Sequence, residues 1–325
     1  MKIIIACILS FAVSAITGKF LVPELRKLKA GQSIREDGPT WHAGKSGTPT
    51  MGGLMFIFGI LVTILVFGWD AMRAGSFAHL YVFAFAAVFG LIGFLDDFQK
   101  VKMHRNLGLT AIQKFALQLA AAVVFLCLMR YEGMLTPNLY VPFANTYVIL
   151  PWIVYMIFAA FVIVGTVNSV NLTDGVDGLS ASLAVVTIGT YLIAYHEELA
   201  DYSTAGVVFM GALLAYLWSN AKPSTLLMGD AGSRAMGFFI AILSLKCGHP
   251  FAFLLAAIVF IVDGSLGILK ISLKRFLHIS ILKNTRTPLH DHVRKNKGWS
   301  DEQVVARWLI LQCVASALLL LVVHG

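Results

Sequence analysis

Five aspartates carry the strongest chemical signal in this sequence, and they lie at or between apolar runs: Asp96, Asp97, Asp174, Asp177 and Asp230. Ionisable side chains at the edge of an apolar run are costly to bury and are functional candidates by default. Any single one of them could instead be an interfacial helix cap. Because we expect all five on one face of the molecule, we predict that they form a site.

The adjacent pair Asp96 and Asp97 needs a cation nearby, because neighbouring carboxylates repel each other. Lys100 lies about one helical turn from Asp96 and is one candidate. A hard divalent cation is the other, since Mg²⁺ takes one or two carboxylates and completes its shell with water and phosphate oxygens. The sequence has no H-E-x-x-H motif and its cysteines are scattered singly, which disfavours zinc.

Polar residues recur at every third position in N-S-V-N-L-T-D-G-V-D-G-L. This spacing aligns Asn168, Asn171, Asp174 and Asp177 on one side of a helix, although two glycines interrupt the pattern. Amide and carboxylate groups that converge on one side can hydrogen-bond to the polar edge of a nucleotide base or of a sugar. In L-M-G-D-A-G-S, glycines on either side place Asp230 in a predicted loop whose backbone can approach a phosphate, with a structural turn as the alternative.

Two further segments carry anion-binding groups. A-G-K-S-G-T-P-T-M-G-G lacks the first P-loop glycine, but Lys45 among small residues and Thr50 before an apolar run indicate an anion site at a helix N-terminus. R-T-P-L-H-D-H places His290 and His292 in a basic loop. Alternating histidines can bind metals, yet the cationic surroundings favour phosphate binding.

Long apolar runs must position these residues. The chain is 58% hydrophobic and 13% charged, against about 25% charged residues in soluble domains, which rules out a soluble enzyme. We place apolar spans near residues 3–22, 51–69, 78–95, 111–129, 147–167, 179–195, 205–218, 235–245, 251–271 and 308–324. Since about 20 apolar residues cross a bilayer, we predict an all-α polytopic integral membrane protein of about ten transmembrane helices, with residues 1–325 as a single transmembrane domain.

The basic residues predict an orientation. The net charge is +8, but Lys and Arg lie in short loops between apolar runs and not in a basic stripe, so we expect no nucleic-acid binding. Most of them fall in alternate loops, which include residues 26–45 and 274–307. Because Lys and Arg mark the cytoplasmic side, both termini are predicted outside and the first run is an uncleaved span, with a signal peptide as the alternative.

Five motifs occur together in a fixed order: P-T-M-G-G, D-D-F-Q-K, N-L-T-D-G-V-D-G-L, M-G-D-A-G-S and T-P-L-H-D-H. The combination resembles the polyprenyl-phosphate N-acetylhexosamine-1-phosphate transferases, and within them the bacterial branch that transfers phospho-N-acetylmuramoyl-pentapeptide. The resemblance implies a homodimer in the bacterial cytoplasmic membrane with a Mg²⁺-dependent site facing the cytoplasm. The implied donor is UDP-N-acetylmuramoyl-pentapeptide, the acceptor is undecaprenyl phosphate, a membrane lipid, and UMP leaves.

The resemblance also implies roles for the residues of these motifs. Asp96 and Asp97 are implied to lie near the lipid phosphate, Asp230 to bind the metal, and His290 to complete the catalytic set. The implied substrate-binding residues are Lys45, Thr50, Lys100, Asn171, Asp174, Asp177, Asn220 and His292.

Two positions depart from the family pattern. Asp291 stands where the middle of three histidines is usual, and Leu227 replaces a phenylalanine suited to stacking on uracil, which implies a differently built base platform. One alternative function is the sister transferase that uses UDP-N-acetylglucosamine, although T-P-x-H and P-T-M-G-G favour the muramoyl branch. Another is a proton-coupled transporter, with Asp263 in the ninth run as a candidate. A transporter's acids should line a path across the membrane and not cluster on one face.

Overall fold

A computed structural model of the chain describes residues 1–28, 47–103 and 108–324. Helices dominate this part, because a helix pairs its own backbone polar groups and can therefore lie in a bilayer. In chain order they are α1 (Lys2–Lys27), α2 (Gly53–Phe67), α3 (Trp69–Arg73), α4 (Ala78–Met103), α5 (Ala111–Tyr131), α6 (Trp152–Thr173), α7 (Leu179–Ala194), α8 (Ala200–Asn220), α9 (Gly229–Lys246), α10 (Phe253–Ala256), α11 (Ile258–Phe260), α12 (Leu266–Phe276), α13 (Leu289–Lys297) and α14 (Asp301–His324).

The apolar helices confirm the prediction of an all-α, multi-pass membrane protein. Among the described residues, six helices are long and apolar enough to cross a membrane: α1, α4, α5, α6, α8 and α14. The segments Pro250–Ala256 and Ile258–Phe276 meet at 83° and give a seventh span if they cross as one. Helices α2 and α7 are shorter and apolar. The count of ten spans stays a prediction.

The prediction of a span from residue 147 is wrong at its start, where the chain forms a β-hairpin. Strand β1 (Asn138–Val141) pairs antiparallel with β2 (Thr146–Ile149). Asn145 takes a left-handed conformation, φ 46°, in the connection, and the Thr, Tyr, Val and Ile of β2 favour an extended strand. Helix α6 begins only after Pro151, whose missing N–H costs nothing at a helix start.

Helix α9 lies at the centre of the bundle. It packs against α4, α6, α2 and α7, and every residue from Ala231 to Leu245 is buried. An enclosed helix must approach its neighbours closely, and glycine permits this at the contact with α4. A Cβ added at Gly93 would lie 2.6 Å from the backbone nitrogen of Ala231 and would also collide with the carbonyl of Asp230. This close approach brings α4 to the first turn of α9.

We expect Gly93→Ala to lower the melting temperature of the purified protein, because the new methyl group meets backbone atoms that cannot move aside. Overpacking of this kind costs about 1–3 kcal/mol in the free energy of unfolding. Gly165→Ala is the matched control, since a Cβ at Gly165 on α6 meets nothing within 4 Å. Equal melting temperatures for the two variants in detergent would contradict the close packing of α4 on α9.

Candidate active site

Asp96 and Asp97 lie inside α4 and not at its end. The predicted apolar run stops just before them, but the helix continues to Met103, with Lys100 among the basic residues that suit the negative end of the helix dipole. Asp96 is fully buried and Asp97 is 5% exposed. A buried carboxylate requires paired charge or hydrogen-bond donors, and the neighbouring elements supply them.

The carboxylate of Asp96 is surrounded by donors. Lys100 Nζ lies 2.6 Å from Oδ2, and Lys114 Nζ of α5 lies 3.2 Å from the same oxygen. The backbone N–H of Leu109 donates to Oδ1 at 2.7 Å. These groups satisfy the buried carboxylate of Asp96 and place two cations next to it.

Asp97 links α4 to the start of α9. Its Oδ2 accepts a hydrogen bond of 2.8 Å from the backbone N–H of Asp230, and Lys100 Nζ lies 3.4 Å from its Oδ1. Gly229 precedes this contact with φ 72°, and a Cβ there would lie 2.8 Å from Thr50 Oγ1. Thr50 therefore lies at the same junction, just before α2 begins.

Asp230 lies in the first turn of α9, so its placement in a loop is wrong. The helix dipole favours a carboxylate at this end, which explains why the glycine-rich segment forms a helix from Gly229 onward. Its Oδ1 accepts from Asn171 Nδ2 at 2.9 Å, and its Oδ2 pairs with Arg234 Nη2 at 2.7 Å. The Asn171 side chain also donates to Ser233 Oγ at 2.8 Å.

The carboxylates of Asp96, Asp97 and Asp230 form one cluster, in which one oxygen from each lies within 4.8 Å of the others. Opposite ligands of an octahedral Mg²⁺ ion are about 4.2 Å apart. Three hard oxygen donors at nearly this spacing fit a hard divalent cation. Neither histidine nor cysteine joins the cluster within the described ranges.

The polar residues of the third motif do not stay aligned. Asn171 lies on α6 and reaches Asp230, but α6 ends at Thr173, and Gly178, with φ 81°, turns the chain into α7. Asp174 accepts a hydrogen bond from the Ser180 hydroxyl. The alignment on one helix side therefore fails beyond Thr173, because two glycines favour a turn there.

Asn220 connects two loops at the end of α8. Its Oδ1 accepts from the backbone N–H of Gly178 at 2.8 Å, and its Nδ2 donates to the carbonyl of Leu226 at 3.0 Å. Both ends of the amide thus stabilise loops, one that contains Asp177 and one that leads into α9. Lys45 lies outside the described residues.

A cavity of about 480 Å³ lies on the same side of the molecule as these loops. Its lining residues are Thr48, Asp177, Lys222, Pro223, Ser224, Arg294, Lys295, Trp299, Ser300 and Asp301. Asp301 lies 2.6 Å from Arg294 Nε and 3.3 Å from Lys222 Nζ. A hydrogen bond to Glu302 raises the pKa of Lys222, so Lys222 is cationic at neutral pH. A polar cavity with several cations suits part of an anionic nucleotide.

His290 lies on the short helix α13, where a loop was predicted, and is 2% exposed. Its Nδ1 lies 2.7 Å from Asp263 Oδ2, and its backbone N–H donates to Asp263 Oδ1 at 2.7 Å. The indole N–H of Trp308 donates to the same oxygen at 3.2 Å. Nε2 faces Gly175, at the turn after α6. His292 is placed differently, because its Nδ1 accepts from the backbone N–H of Arg286 at 3.3 Å.

Sequence reasoning missed three partners of the site. No motif in the sequence singles out Lys114 or Arg234, and the apolar run around Asp263 indicates only a candidate transporter acid. The spacing of Arg234 four residues after Asp230 was the available signal for their pairing. The contacts of Lys114 and Asp263 link residues 18 and 27 positions apart in the chain, which no local pattern reveals.

Several known proteins are similar to this chain. Residues 79–248 match glycosyl transferase family 4, and residues 45–57 match signature 1 of phospho-N-acetylmuramoyl-pentapeptide-transferase. Curated relatives of that name include those of Caldanaerobacter subterraneus, 39% identical over 315 residues and 95% of each chain, and Lacticaseibacillus paracasei, 36% identical over 318 residues and 95% of each. The relative from Listeria welshimeri is 37% identical over 301 residues, 91% of this chain and 90% of its own.

Proposed function

Because the chain belongs to the phospho-N-acetylmuramoyl-pentapeptide-transferases of glycosyl transferase family 4, we propose that it transfers phospho-N-acetylmuramoyl-pentapeptide from UDP to undecaprenyl phosphate. The products are UMP and a lipid-linked precursor of peptidoglycan. The observation that carries this proposal is the cluster of Asp96, Asp97 and Asp230, formed by the apolar helix α4 and the first turn of α9. Carboxylates held together on an apolar helix suit a reaction between a membrane-bound phosphate and a soluble nucleotide sugar.

The carboxylate cluster supports a metal-dependent reaction, and we assign Mg²⁺ to Asp230 within it. When bound there, Mg²⁺ neutralises charge on the donor pyrophosphate. Lys100 and Lys114 next to Asp96 supply positive charge for the lipid phosphate. Asp174, Asp177, Asn220, Lys45 and Thr50 are proposed to line the uridine and phosphate region.

The chemical step we propose is a single in-line displacement. An oxygen of the lipid phosphate attacks the donor phosphorus next to the sugar, and the bond from that phosphorus to UMP breaks. The second pKa of a phosphate monoester is near ~6, so the acceptor is already mostly dianionic at neutral pH. Asp96 or Asp97 orients the acceptor and takes any residual proton. A covalent phospho-aspartate is the alternative, and it adds a step without an evident gain.

Exchange of labelled UMP into the donor distinguishes these two routes. With enzyme stripped of all polyprenyl phosphate, direct attack gives no exchange, because nothing is present to accept the phospho-sugar. Robust exchange that is lost in Asp96→Asn or Asp97→Asn would overturn direct attack in favour of the covalent route.

We also propose that His290 is catalytic and that Asp263 positions it. The contact between Asp263 and His290 Nδ1 fixes the ring and its tautomer, which leaves Nε2 directed at the turn near Gly175. We expect Asp263→Asn to lower kcat by at least about a hundredfold, the lower end of what a positioned acid or base contributes, because the amide no longer favours the same histidine tautomer. The pH profile of kcat should also shift, whereas a purely structural role would not move it.

Asp70→Asn is the matched control for this substitution. Asp70 also pairs with a basic residue, Lys2 at 2.9 Å, but at an exposed position outside the site. We expect the kcat and the pH profile of the Asp70→Asn variant to equal those of the unchanged protein. If Asp263→Asn has the same kcat and pH profile as Asp70→Asn, Asp263 does not position His290 for catalysis.

We propose that the site faces the cytoplasm and that the protein is a homodimer. The Lys and Arg asymmetry of the loops supports the orientation. In a chain lacking its native cysteines, a cysteine added after Gly325 should react only from outside the cell, and one at Lys283 only from the cytoplasm. Labelling of the C-terminal cysteine solely from the cytoplasm would contradict this topology.

Label transfer tests the proposed reaction against transport. Membranes containing the protein should convert labelled UDP-N-acetylmuramoyl-pentapeptide into a lipid-extractable product. Label that enters sealed vesicles without becoming lipid-linked would support the transporter and contradict the transferase.

A further inference from the structure

A buried arginine lies next to the aspartate that we assign to the metal. Arg234, one turn after Asp230 on α9, is 2% exposed. Its Nη2 lies 2.7 Å from Asp230 Oδ2, and its Nη1 donates to Asn168 Oδ1 at 3.5 Å. A guanidinium is buried at high cost unless it is paired, so Asp230 and Arg234 are held together by burial as well as by charge.

Arg234 differs from the other described cations of the cluster in its freedom to move. The side chains of Lys100 and Lys114 are 30% and 26% exposed, and both contact Asp96. They can turn toward a bound phosphate. The Arg234 side chain is 3% exposed and is enclosed by α9 and α6. Its charge therefore stays beside Asp230 whatever binds.

We propose that Arg234 is a fixed counter-cation that weakens the intrinsic metal affinity of the site and couples metal binding to donor binding. The proposal rests on the assignment of Mg²⁺ to Asp230. Arg234 holds Oδ2 of Asp230 through a charge-assisted hydrogen bond, and Asn171 holds Oδ1. A divalent cation that binds Asp230 must share these carboxylate oxygens with Arg234 and Asn171. The positive guanidinium of Arg234 also repels the cation at short range. The negative pyrophosphate of the donor offsets that repulsion, so donor and metal bind together.

Metal binding to the full-length protein in detergent tests this proposal without reference to activity. Mn²⁺ serves as the probe, followed by electron paramagnetic resonance in the absence of substrate. We expect Arg234→Met to bind Mn²⁺ at least about tenfold more tightly than the unchanged protein, because a repelling charge is removed. Arg130→Met is the control, since Arg130 stacks on Trp152, and it should bind Mn²⁺ as the unchanged protein does. Unchanged or weaker binding by folded Arg234→Met would overturn the proposal.

Two further measurements separate the possible failures. Asp230→Asn should lose Mn²⁺ binding; if it does not, the metal assignment itself is wrong. If Arg234→Met does not fold, the unchanged protein still tests the coupling of metal binding to donor binding. Its Mn²⁺ affinity should rise at least about tenfold when UDP-N-acetylmuramoyl-pentapeptide is bound, after correction for Mn²⁺ held by free donor. Equal affinity with and without the donor would overturn the coupling.

Discussion

Asp230→Asn should abolish transfer, with kcat lower by at least about a thousandfold, because the metal contributes several kcal/mol of charge stabilisation. Asparagine keeps the shape of the side chain and retains an oxygen that can accept from Arg234. We therefore expect a folded protein with a somewhat lower melting temperature. The measurement is kcat as a function of Mg²⁺ concentration, together with thermal melting in detergent.

Asp201→Asn is the matched control for this substitution. Asp201 also lies in the first turn of a helix, α8, but it is exposed and outside the carboxylate cluster. We expect it to change kcat little. A kcat near that of the unchanged protein for Asp230→Asn at limiting Mg²⁺ would mean that the metal is held elsewhere.

Asp97→Asn should lower kcat by at least about a hundredfold. The substitution removes a buried carboxylate that lies 3.4 Å from Lys100 and that we propose orients the lipid phosphate. A loss of this size is typical of positioned acid and base groups. The amide oxygen can still accept from the backbone N–H of Asp230, so the junction between α4 and α9 should persist. The measurement is kcat and KM for each substrate, with Asp201→Asn again as the control.

The outcome for Asp97 also separates catalysis from binding. A fall in kcat with little change in KM for the donor is expected from a group that acts on the acceptor. An unchanged kcat with a raised KM for the donor would place Asp97 in nucleotide binding and contradict its proposed role.

The sequence predicts the all-α membrane fold and singles out acidic residues, because both depend on residue type. Apolar runs indicate membrane helices, and the acids at their edges point to five aspartates, of which the structure brings Asp96, Asp97 and Asp230 together. Their contact is not local, since Asp97 and Asp230 are 133 positions apart. Residue types alone indicated chemistry but not which carboxylates meet.

The rest depended on contacts that the sequence pattern does not encode. Residues 147–149, the end of the hairpin, are predicted as the start of a span, because β-branched and aromatic residues are equally apolar in a strand or a helix. His290 was assigned to a loop, whereas it is buried against Asp263 of the preceding bent helix pair. The pairing of Arg234 with Asp230 requires helix α9 to begin at Gly229, and the glycines around Asp230 suggested a loop.

The most direct test of the proposed reaction uses purified protein, undecaprenyl phosphate, Mg²⁺ and donors labelled in the sugar-linked phosphate. With UDP-N-acetylmuramoyl-pentapeptide, label should pass to the lipid and one UMP should appear for each lipid product. UDP-N-acetylglucosamine should give little product under the same conditions. Transfer from UDP-N-acetylglucosamine in preference to the muramoyl donor, or no transfer from either, would contradict the account.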